Sequence, residues 1–392
     1  MTTALLERDQ AFVDGASQVA DDVAAVHAED VDREARFPIE AISALREISA
    51  LSAFVPEELG GGGVSLEALA LACLELGRRC SSTAMVYAMH QIQVATIVRH
   101  LDTAPPWFES YLRDVCAEQR LIASATSEIG TGGDMGRSIA AVTPGEGGLV
   151  GFEKQAPTVS YGAQADDLLS TVRRSPDAEG GDQVLALTLA GQAKMTPMGT
   201  WDTLGMRGTC SPGFVVSAQF APEQVLDTPF ARVMCESMVP LSHVLWSHVW
   251  LGIATEAFER GRRFVREAAR RKPGEPVPAA AALSRVMSEL ALLRAEVQLG
   301  LRDFLADSEG NRERLSTMAA ILRFNNLKLA ASEQTPRVCQ GVLEVIGIMA
   351  YKNDSPFSVG RQLRDSLSAR LMVANERIHA VDAGLLLIAK GV

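Results

Sequence analysis

The sequence is poor in aromatic residues and has no surplus of positive charge. Only 5% of its 392 residues are Phe, Trp or Tyr, and 37 basic side chains stand against 48 acidic ones, for a formal net charge of −11. Nucleic-acid binding generally requires a basic surface, and single-strand binding adds aromatic platforms on which the bases stack. We therefore expect a soluble protein without a nucleic-acid partner.

Long apolar runs are missing as well. The N-terminal segment MTTALLERDQAF carries early acidic residues and has no apolar signal core. No stretch reaches the ~18 uninterrupted apolar residues of a membrane span. The nearest run, Met238 to Ala254, is interrupted by Ser242, His243, Ser247 and His248. We interpret it as a core helix, and we expect a cytoplasmic protein with no membrane partner.

Cysteine pairs at metal-binding or disulfide spacing are absent too. The six cysteines are scattered, with no C-x-x-C pair and no neighbouring histidine, at Cys73, Cys80, Cys116, Cys210, Cys235 and Cys339. Zinc sites and disulfide frameworks need closer or more regular spacing. The sequence therefore predicts reduced, largely buried thiols and no metal site.

The chain does contain three zones in order, with helical, strand-like and again helical patterns of residues. Apolar residues recur at helical spacing up to about residue 120, and short strand-like runs between Gly, Pro and Asp follow to about residue 230. The strand-like runs include 148–152, 167–172, 184–189 and 213–220. We predict an α+β fold with a helical domain over 1–120, a β-barrel or β-sandwich domain over 121–234, and a four-helix-bundle-like domain over 235–392.

The last third is predicted to consist of long helices. One is expected from about Pro240 to Arg271, a second over 279–307 and a third over 311–331, with further helices beginning near Arg337 and Asp365. Two tryptophans four residues apart on the first of these helices, Trp246 and Trp250, are interpreted as core packing.

Four segments resemble motifs of the acyl-CoA dehydrogenase family of flavoproteins, in the expected order. They are ATSEIGTGGD at 125–134, SYGAQAD at 160–166, WDTLGMRGTCS at 201–211, and the stretch from Glu344 to Asp365. They resemble A-L-T-E-P-x-A-G-S-D, T-N-G-x-x-A-D, L-G-M-R-G-T-x-S and Q-x-x-G-G-x-G-Y-x-x-E-x-P with R-x-L-R-D. The resemblance covers nearly the whole chain and implies the acyl-CoA dehydrogenase fold.

This resemblance implies a bound FAD. A flavin ring needs hydroxyl and backbone N–H donors at close range, and glycines allow the backbone to approach a phosphate. The residues expected near the ring and phosphate are Thr126, Ser127, Gly132, Gly133, Thr158, Ser160 and Asn375. In the family, the adenosine half of FAD contacts a neighbouring subunit. The residues expected in that half are Arg270, Arg271, Ser284, Glu344 and Gly347.

The family's catalytic base is missing from its usual place. Most members carry a glutamate in a Y-E-G-T loop, where it removes the α-proton of an acyl thioester. Val373 occupies that position here, and the alternative position on the long helix falls near Ser242 or His243. We therefore consider His243 and His90 as candidate catalytic residues, since imidazole has a suitable pKa.

Three functions follow from this mixture of matches and losses. The first is an FAD-dependent acyl-thioester dehydrogenase of fatty acid metabolism with a relocated base. The second is a flavin monooxygenase or N-oxygenase on the same fold, since such relatives lack the glutamate. The third is a non-catalytic subunit that completes a partner's FAD site in a mixed tetramer.

The resemblance also implies partners. The substrate is expected to be an acyl thioester or another small molecule. The assembly is expected to be a homotetramer or homodimer, or a mixed one with a related chain. The redox partner is expected to be an electron-transfer flavoprotein or a flavin reductase.

Overall fold

Helices occupy both ends of the chain and strands occupy its middle, as the three zones of composition predict. The computed structural model describes residues 5–271, 273–308 and 310–389. The N-terminal helices are α1 Glu7–Val19, α2 Ala25–Arg33, α3 Ile39–Glu47, α4 Leu66–Arg79, α5 Ser81–Arg99 and α6 Trp107–Glu118. The strands are β1 Ile122–Ala125, β2 Thr143–Pro144, β3 Val150–Ala156, β4 Asp167–Arg173, β5 Gln183–Thr188, β6 Ala193–Pro197, β7 Phe214–Phe220 and β8 Val225–Leu226. The C-terminal helices are α7 Phe230–Val233, α8 Val239–Arg271, α9 Pro278–Ser308, α10 Met318–Ile346, α11 Ile348–Tyr351, α12 Gly360–Leu367 and α13 Asn375–Leu386.

The strands form two four-stranded sheets. One sheet has the order β1-β4-β5-β8 and the other β2-β3-β7-β6. Among the named strands of the described residues, β1 and β4 pair in parallel, with Ile122 opposite Asp167, and the other strand pairs are antiparallel. The buried carboxylate of Asp167 accepts hydrogen bonds from Tyr111 at 2.8 Å and from Arg120 at 2.7 Å. These bonds tie the end of the N-terminal helices to the start of β4.

The C-terminal helices pack as a bundle in which α8, α9 and α10 contact one another and α13 packs on α10. The expectation of separate helices over 311–331 and from Arg337 is wrong, because α10 runs unbroken from Met318 to Ile346 through Pro336. Only a short 3₁₀ turn, Arg312–Ser316, precedes it. Proline removes one helical hydrogen bond, and packing on both flanks of α10 outweighs that loss.

Two glycines allow the N-terminal and C-terminal helices to cross closely. Gly77 on α4 lies against Val249 on α8, and Gly252 on α8 lies against Leu74 on α4. A Cβ atom built on Gly252 would lie 2.3 Å from the carbonyl oxygen of Leu74, and one on Gly77 would lie 2.6 Å from that of Val249. The crossing therefore has no room for any side chain at either position.

A Gly252→Ala substitution is expected to lower the free energy of unfolding by about 3 kcal/mol, because the methyl group can be accommodated only if the backbones separate. Gly384→Ala is the matched control, since Gly384 lies in α13 with no atom within 4 Å of its Cβ position. That control should be neutral or stabilising by up to about 1 kcal/mol. Denaturant unfolding followed by circular dichroism measures both. Equal stabilities for the two variants would contradict the close crossing.

All six cysteines are free, and Cys73, Cys80 and Cys339 are buried. Among the described residues, no helix is both long and apolar enough to cross a membrane. In the same part of the chain, no cluster of three or more His, Cys, Asp or Glu side chains has the arrangement of a metal site.

Candidate flavin and substrate site

The segment after β1 contains a loop of glycines, residues 130–133, which we call the glycine loop. Gly130, Gly132 and Gly133 have φ angles of 94°, 65° and 80°, a region that favours glycine. A Cβ atom on Gly132 would meet nothing within 4 Å, whereas one on Gly133 would lie 1.8 Å from Nη1 of Arg377. Arg377, in the first turn of α13, donates a hydrogen bond to the Gly133 carbonyl at 2.9 Å. The glycine loop is thus open at Gly132 and covered by α13 at Gly133.

The hydroxyl groups of the sequence-predicted segments form two sets of hydrogen bonds. Ser127 Oγ donates to the carbonyl of Thr158 at 3.3 Å, which joins two of the sequence-predicted segments. The hydroxyls of Ser160 and Ser211 lie 3.0 Å apart, and Ser211 Oγ lies 2.9 Å from Thr209 Oγ1. The Thr126 carbonyl accepts from Thr171 Oγ1 on β4 at 3.1 Å. Ser127 and Thr158 are therefore in contact, and the role of these residues, Thr126 and Ser160 toward a flavin stays a prediction.

Glu128, in the segment after β1, and Lys154, on β3, form a buried ion pair. Glu128 accepts hydrogen bonds from Ser138 Oγ at 2.6 Å and from the backbone N–H groups of Ile139 and Ala140 at 3.0 and 2.7 Å. Lys154 Nζ lies 3.5 Å from the same carboxylate and donates to the Thr171 carbonyl at 2.6 Å. Sequence reasoning missed this pair, because a Glu and a Lys 26 residues apart carry no signal of pairing.

His90 has a structural role, which corrects its selection as a catalytic candidate. Its Nδ1 accepts the backbone N–H of Ile122 at 3.0 Å, so Nε2 carries the proton and donates to the carbonyl of Leu51 at 2.7 Å. The ring is completely buried, and burial lowers the pKa of His90 to about 4. Neither ring nitrogen is left for a substrate.

The turn before α13 is held by a buried lysine. Lys328, on α10, is fully buried, and its Nζ donates to the carbonyl of Val373 at 3.0 Å and to Oδ1 of Asn375 at 2.5 Å. Val373 has a φ of 45°, unusual for a β-branched residue. Burial, assisted by the charge of Arg370, lowers the pKa of Lys328 to about 8.

Asn375 does not have the position expected of a cofactor-binding residue. Its amide is buried, accepts from Lys328 and donates to Ser332 Oγ at 3.1 Å. Because both ends of the amide are used, the side chain fastens the turn to α10.

His243 lies beside Lys328. Its Nδ1 lies 3.0 Å from the carbonyl of Phe324, which can only accept, so Nδ1 carries the proton and Nε2 presents a lone pair. Nε2 has no hydrogen-bond partner in the described part of the chain. Burial, together with the nearby charge of Lys328, lowers the pKa of His243 to about 3. The imidazole is therefore neutral.

The residues predicted for the adenosine half lie at the far end of the bundle. Arg270, Arg271, Ser284 and Glu344 are exposed there, and Gly347, with a φ of 71°, ends α10. A cavity of about 320 Å³ at this end is lined by Phe264, Glu267, Ala268, Arg271, Met349 and Phe357. The structure thus brings Arg271 and the turn after Gly347 together, whereas Arg270, Ser284 and Glu344 do not line the cavity.

Comparison with known proteins identifies this architecture. Residues 7–104 match the family model described as acyl-CoA dehydrogenase, N-terminal domain. The probable acyl-CoA dehydrogenase YngJ of Bacillus subtilis is 24% identical over 90% of this chain and 90% of its own. Butyryl-CoA dehydrogenase from Megasphaera elsdenii superposes with a TM-score of 0.81 at 18% identity, covering 99% of this chain and 100% of that one. The chain has the acyl-CoA dehydrogenase fold.

A second type of enzyme shares that fold. FMN-bound TdsC of Paenibacillus sp. A11-2, a dibenzothiophene monooxygenase, superposes with a TM-score of 0.82 at 21% identity and covers 96% of this chain and 97% of that one. The resemblance predicted from four sequence motifs is therefore confirmed for the fold, and the fold accommodates both dehydrogenases and oxygenases.

Within the acyl-CoA dehydrogenase fold, the surroundings of Val373 differ from what proton abstraction requires. The position expected to hold a glutamate is occupied by the alkyl side chain of Val373, and the ionisable group bonded to that residue is the buried lysine Lys328. Asp382, on α13, is engaged by Asn325 Nδ2 at 2.6 Å. Glu376 is exposed. No carboxylate in the described part of the chain bonds to Lys328.

Proposed function

We propose that the protein is a flavin-dependent monooxygenase whose reduced flavin is supplied by a separate reductase. The observation that carries this proposal is the turn before α13. Val373 replaces the expected carboxylate there, and the buried ammonium group of Lys328 donates hydrogen bonds to Val373 and Asn375. Removal of an α-proton from an acyl thioester needs a positioned group that accepts a proton near neutral pH. The alkyl side chain of Val373 has no lone pair, and the ammonium group of Lys328 only donates.

His243 does not replace the missing base well. A pKa of about 3 makes its imidazole a weak acceptor that does not retain a substrate proton at neutral pH. Its Nε2 is suited instead to accept a hydrogen bond from a neutral donor. This favours oxygenation over dehydrogenation, and it removes the main support for the relocated-base hypothesis.

The residues present fit a flavin. The Ser160 hydroxyl accepts a hydrogen bond from Ser211 and keeps its own proton to donate to the polar edge of the ring. The open backbone at Gly132 suits the approach of a phosphate. Reduced flavin, when bound, supplies the electrons that activate dioxygen for transfer of one oxygen atom. The chain's own part is to hold the ring, exclude water and position the substrate between α8 and the β region.

The choice between FMN and FAD depends on the residues predicted to contact the adenosine half. Arg271 is paired with Glu267 at 3.5 Å, and Glu344 is exposed at the same end of the bundle. Two carboxylates there weaken the attraction for a diphosphate. We propose that FMN, which has no adenosine half, binds as well as FAD does. FMN-bound TdsC supports the choice of an FMN-dependent oxygenase.

We expect the purified protein, loaded with FMN or FAD, to stay oxidised when butyryl-CoA or octanoyl-CoA is added without oxygen. After reduction by NADH and an unrelated flavin reductase, admission of ¹⁸O₂ should give a product with one labelled oxygen atom from a panel that includes indole and dibenzothiophene. Absorbance and mass spectrometry measure the two steps.

The contrary outcomes separate the other functions. Bleaching of the flavin by an acyl-CoA alone would establish a dehydrogenase and contradict the proposal. Colourless protein that takes up flavin only when it is co-expressed with a related chain would establish the subunit of a mixed assembly.

A further inference from the structure

Three polar side-chain atoms on one part of α8 are buried without a partner. They are Nε1 of Trp246, Oγ of Ser247 and Nε1 of Trp250, and none has a hydrogen-bond partner among the described residues. Their side chains are 8%, 0% and 0% exposed. Buried indole N–H groups usually find an acceptor, and an unpaired buried donor costs about 1–3 kcal/mol. Trp201 behaves normally, because its Nε1 donates to the Met206 carbonyl at 3.2 Å.

A row of neighbouring rings connects the two tryptophans with His243, which lies beside Lys328. The ring centroids of Trp250 and Trp246 are 6.4 Å apart, and those of Trp246 and His243 are also 6.4 Å apart. His243 bonds to the Phe324 carbonyl on α10, one helical turn before Lys328. The row of side chains therefore leads from the interior of α8 to the turn that contains Val373.

The row is rich in donors and poor in acceptors. Indole nitrogens donate only, and an ammonium group has three N–H bonds. Lys328 directs two of these to Val373 and Asn375, so one is left without an acceptor in the described part of the chain. His243 Nε2 is the one pure acceptor of the row. Such a set is complementary to a group with several oxygen atoms, and the single charge favours a negative one.

We propose that Trp246, Ser247 and Trp250 of α8, with Lys328 of α10, form the recognition site for a carboxylate or similarly oxygen-rich anionic group of the substrate. An alkyl chain satisfies none of these donors, so a long-chain acyl group is excluded from this place. The inference names the substrate class of the proposed oxygenase, and it rests on that proposal only for the reaction, since the binding site is defined by the donors themselves.

The test uses three probes of similar shape, namely toluene, benzamide and benzoate. The chain has four tryptophans, so the ¹⁵N-labelled full-length protein gives four indole signals, assigned with Trp246→Phe and Trp250→Phe. Benzoate should shift the signals of Trp246 and Trp250, benzamide should do so more weakly, and toluene should not. The signals of Trp107 and Trp201 should stay in place. No flavin, reductase or oxygen is present, so failure of the oxygenase assay does not affect this result.

Lys328→Met should weaken benzoate binding about 10- to 100-fold, since a hydrogen bond to a charged group contributes about 1.5–3 kcal/mol. Lys194→Met, at an exposed lysine of β6, is the matched control and should not change the affinity. If Lys328→Met does not fold, Trp250→Phe removes one donor while keeping an aromatic ring, and should weaken the binding of benzoate. Equal binding of toluene and benzoate, or no shift with any probe, would show a site filled by ordered water or apolar contacts and overturn the proposal.

Discussion

Lowering the pH from 7 to 5 is expected to destabilise the protein by about 7 kcal/mol, because four buried histidines must stay neutral in the folded state. Burial lowers the pKa of His90, His100 and His248 to about 4, and that of His243 to about 3. All four are at most 3% exposed. A loss of this size is comparable with the whole stability of an ordinary domain.

Stability falls with pH because the unfolded chain binds more protons than the folded chain does. In the unfolded chain these imidazoles have a pKa of about 6.5, so they take up protons as the pH falls below that value while the folded chain does not. Each histidine then removes about 2 kcal/mol of stability by pH 5. The loss begins near pH 6.5 and continues to about pH 4, where the folded state also becomes protonated. Burial keeps the neutral form, and the hydrogen bond from His248 Nδ1 to the carbonyl of Val244, at 2.8 Å, opposes the effect of burial only in part.

Urea unfolding at pH 7, 6 and 5 measures the effect. Between pH 7 and pH 5, His248→Gln should lose about 2 kcal/mol less stability than the wild-type protein loses, because one buried imidazole is removed. His379→Gln, at an exposed histidine of α13, is the matched control and should lose as much stability between pH 7 and pH 5 as the wild-type protein does. A stability that is flat between pH 7 and pH 5 would show that these side chains already carry protons in the folded protein.

The sequence allowed the order of the elements to be predicted, because each zone has its own hydrophobic period. Residues 213–220 alternate between apolar and polar, and the structure has β7 there from Phe214 to Phe220. Pro336 was more difficult, since local propensity favours a break in the helix while tertiary packing on α10 maintains it. The domain boundaries at 120 and 234 stay a prediction.

The sequence predicts residues of the candidate site only where they belong to a recognisable motif. The glycine loop and the loss of the glutamate at Val373 are both visible in the sequence, and the role of Ser127 beside a flavin stays a prediction. Lys328 is not visible, because a lysine between two leucines on a helix is ordinarily placed at a surface. Its role depends on α10 packing against a turn 45 residues later, and no local pattern records that contact. The interpretation of Trp246 and Trp250 as core packing accounts for their rings but not for their N–H groups.

Replacing Glu128 by glutamine is expected to lower the free energy of unfolding by about 3 kcal/mol, because it leaves the ammonium group of Lys154 buried without a counter-charge. Lys154 is 1% exposed and Glu128 is 5% exposed. Burial lowers the pKa of Lys154 to about 8, and the neighbouring Glu128 opposes that change. Glutamine also exchanges one acceptor oxygen for a donor opposite Ser138 and two backbone N–H groups, so at least one of the three bonds is lost.

The same substitution should weaken flavin binding, since Glu128 directly follows Ser127 and its hydrogen bonds hold the segment that includes the glycine loop. Fluorescence titration with FMN is expected to show a dissociation constant at least about tenfold higher, the equivalent of one lost charged hydrogen bond. Glu153→Gln is the matched control on β3, where the side chain is exposed, and it should change stability by no more than about 0.5 kcal/mol.

A double substitution separates the buried charge from the lost hydrogen bonds. Adding Lys154→Met to Glu128→Gln removes the uncompensated ammonium, so the double variant should recover at least about 1 kcal/mol relative to Glu128→Gln alone. Flavin affinity should not recover with it, because the carboxylate that fastens Ile139 and Ala140 is still absent. Additive losses of stability in the double variant would contradict the coupling between the two side chains. Recovery of both properties together would mean that the charge of Lys154, and not the hydrogen bonds of Glu128, governs the shape of the flavin-facing segment.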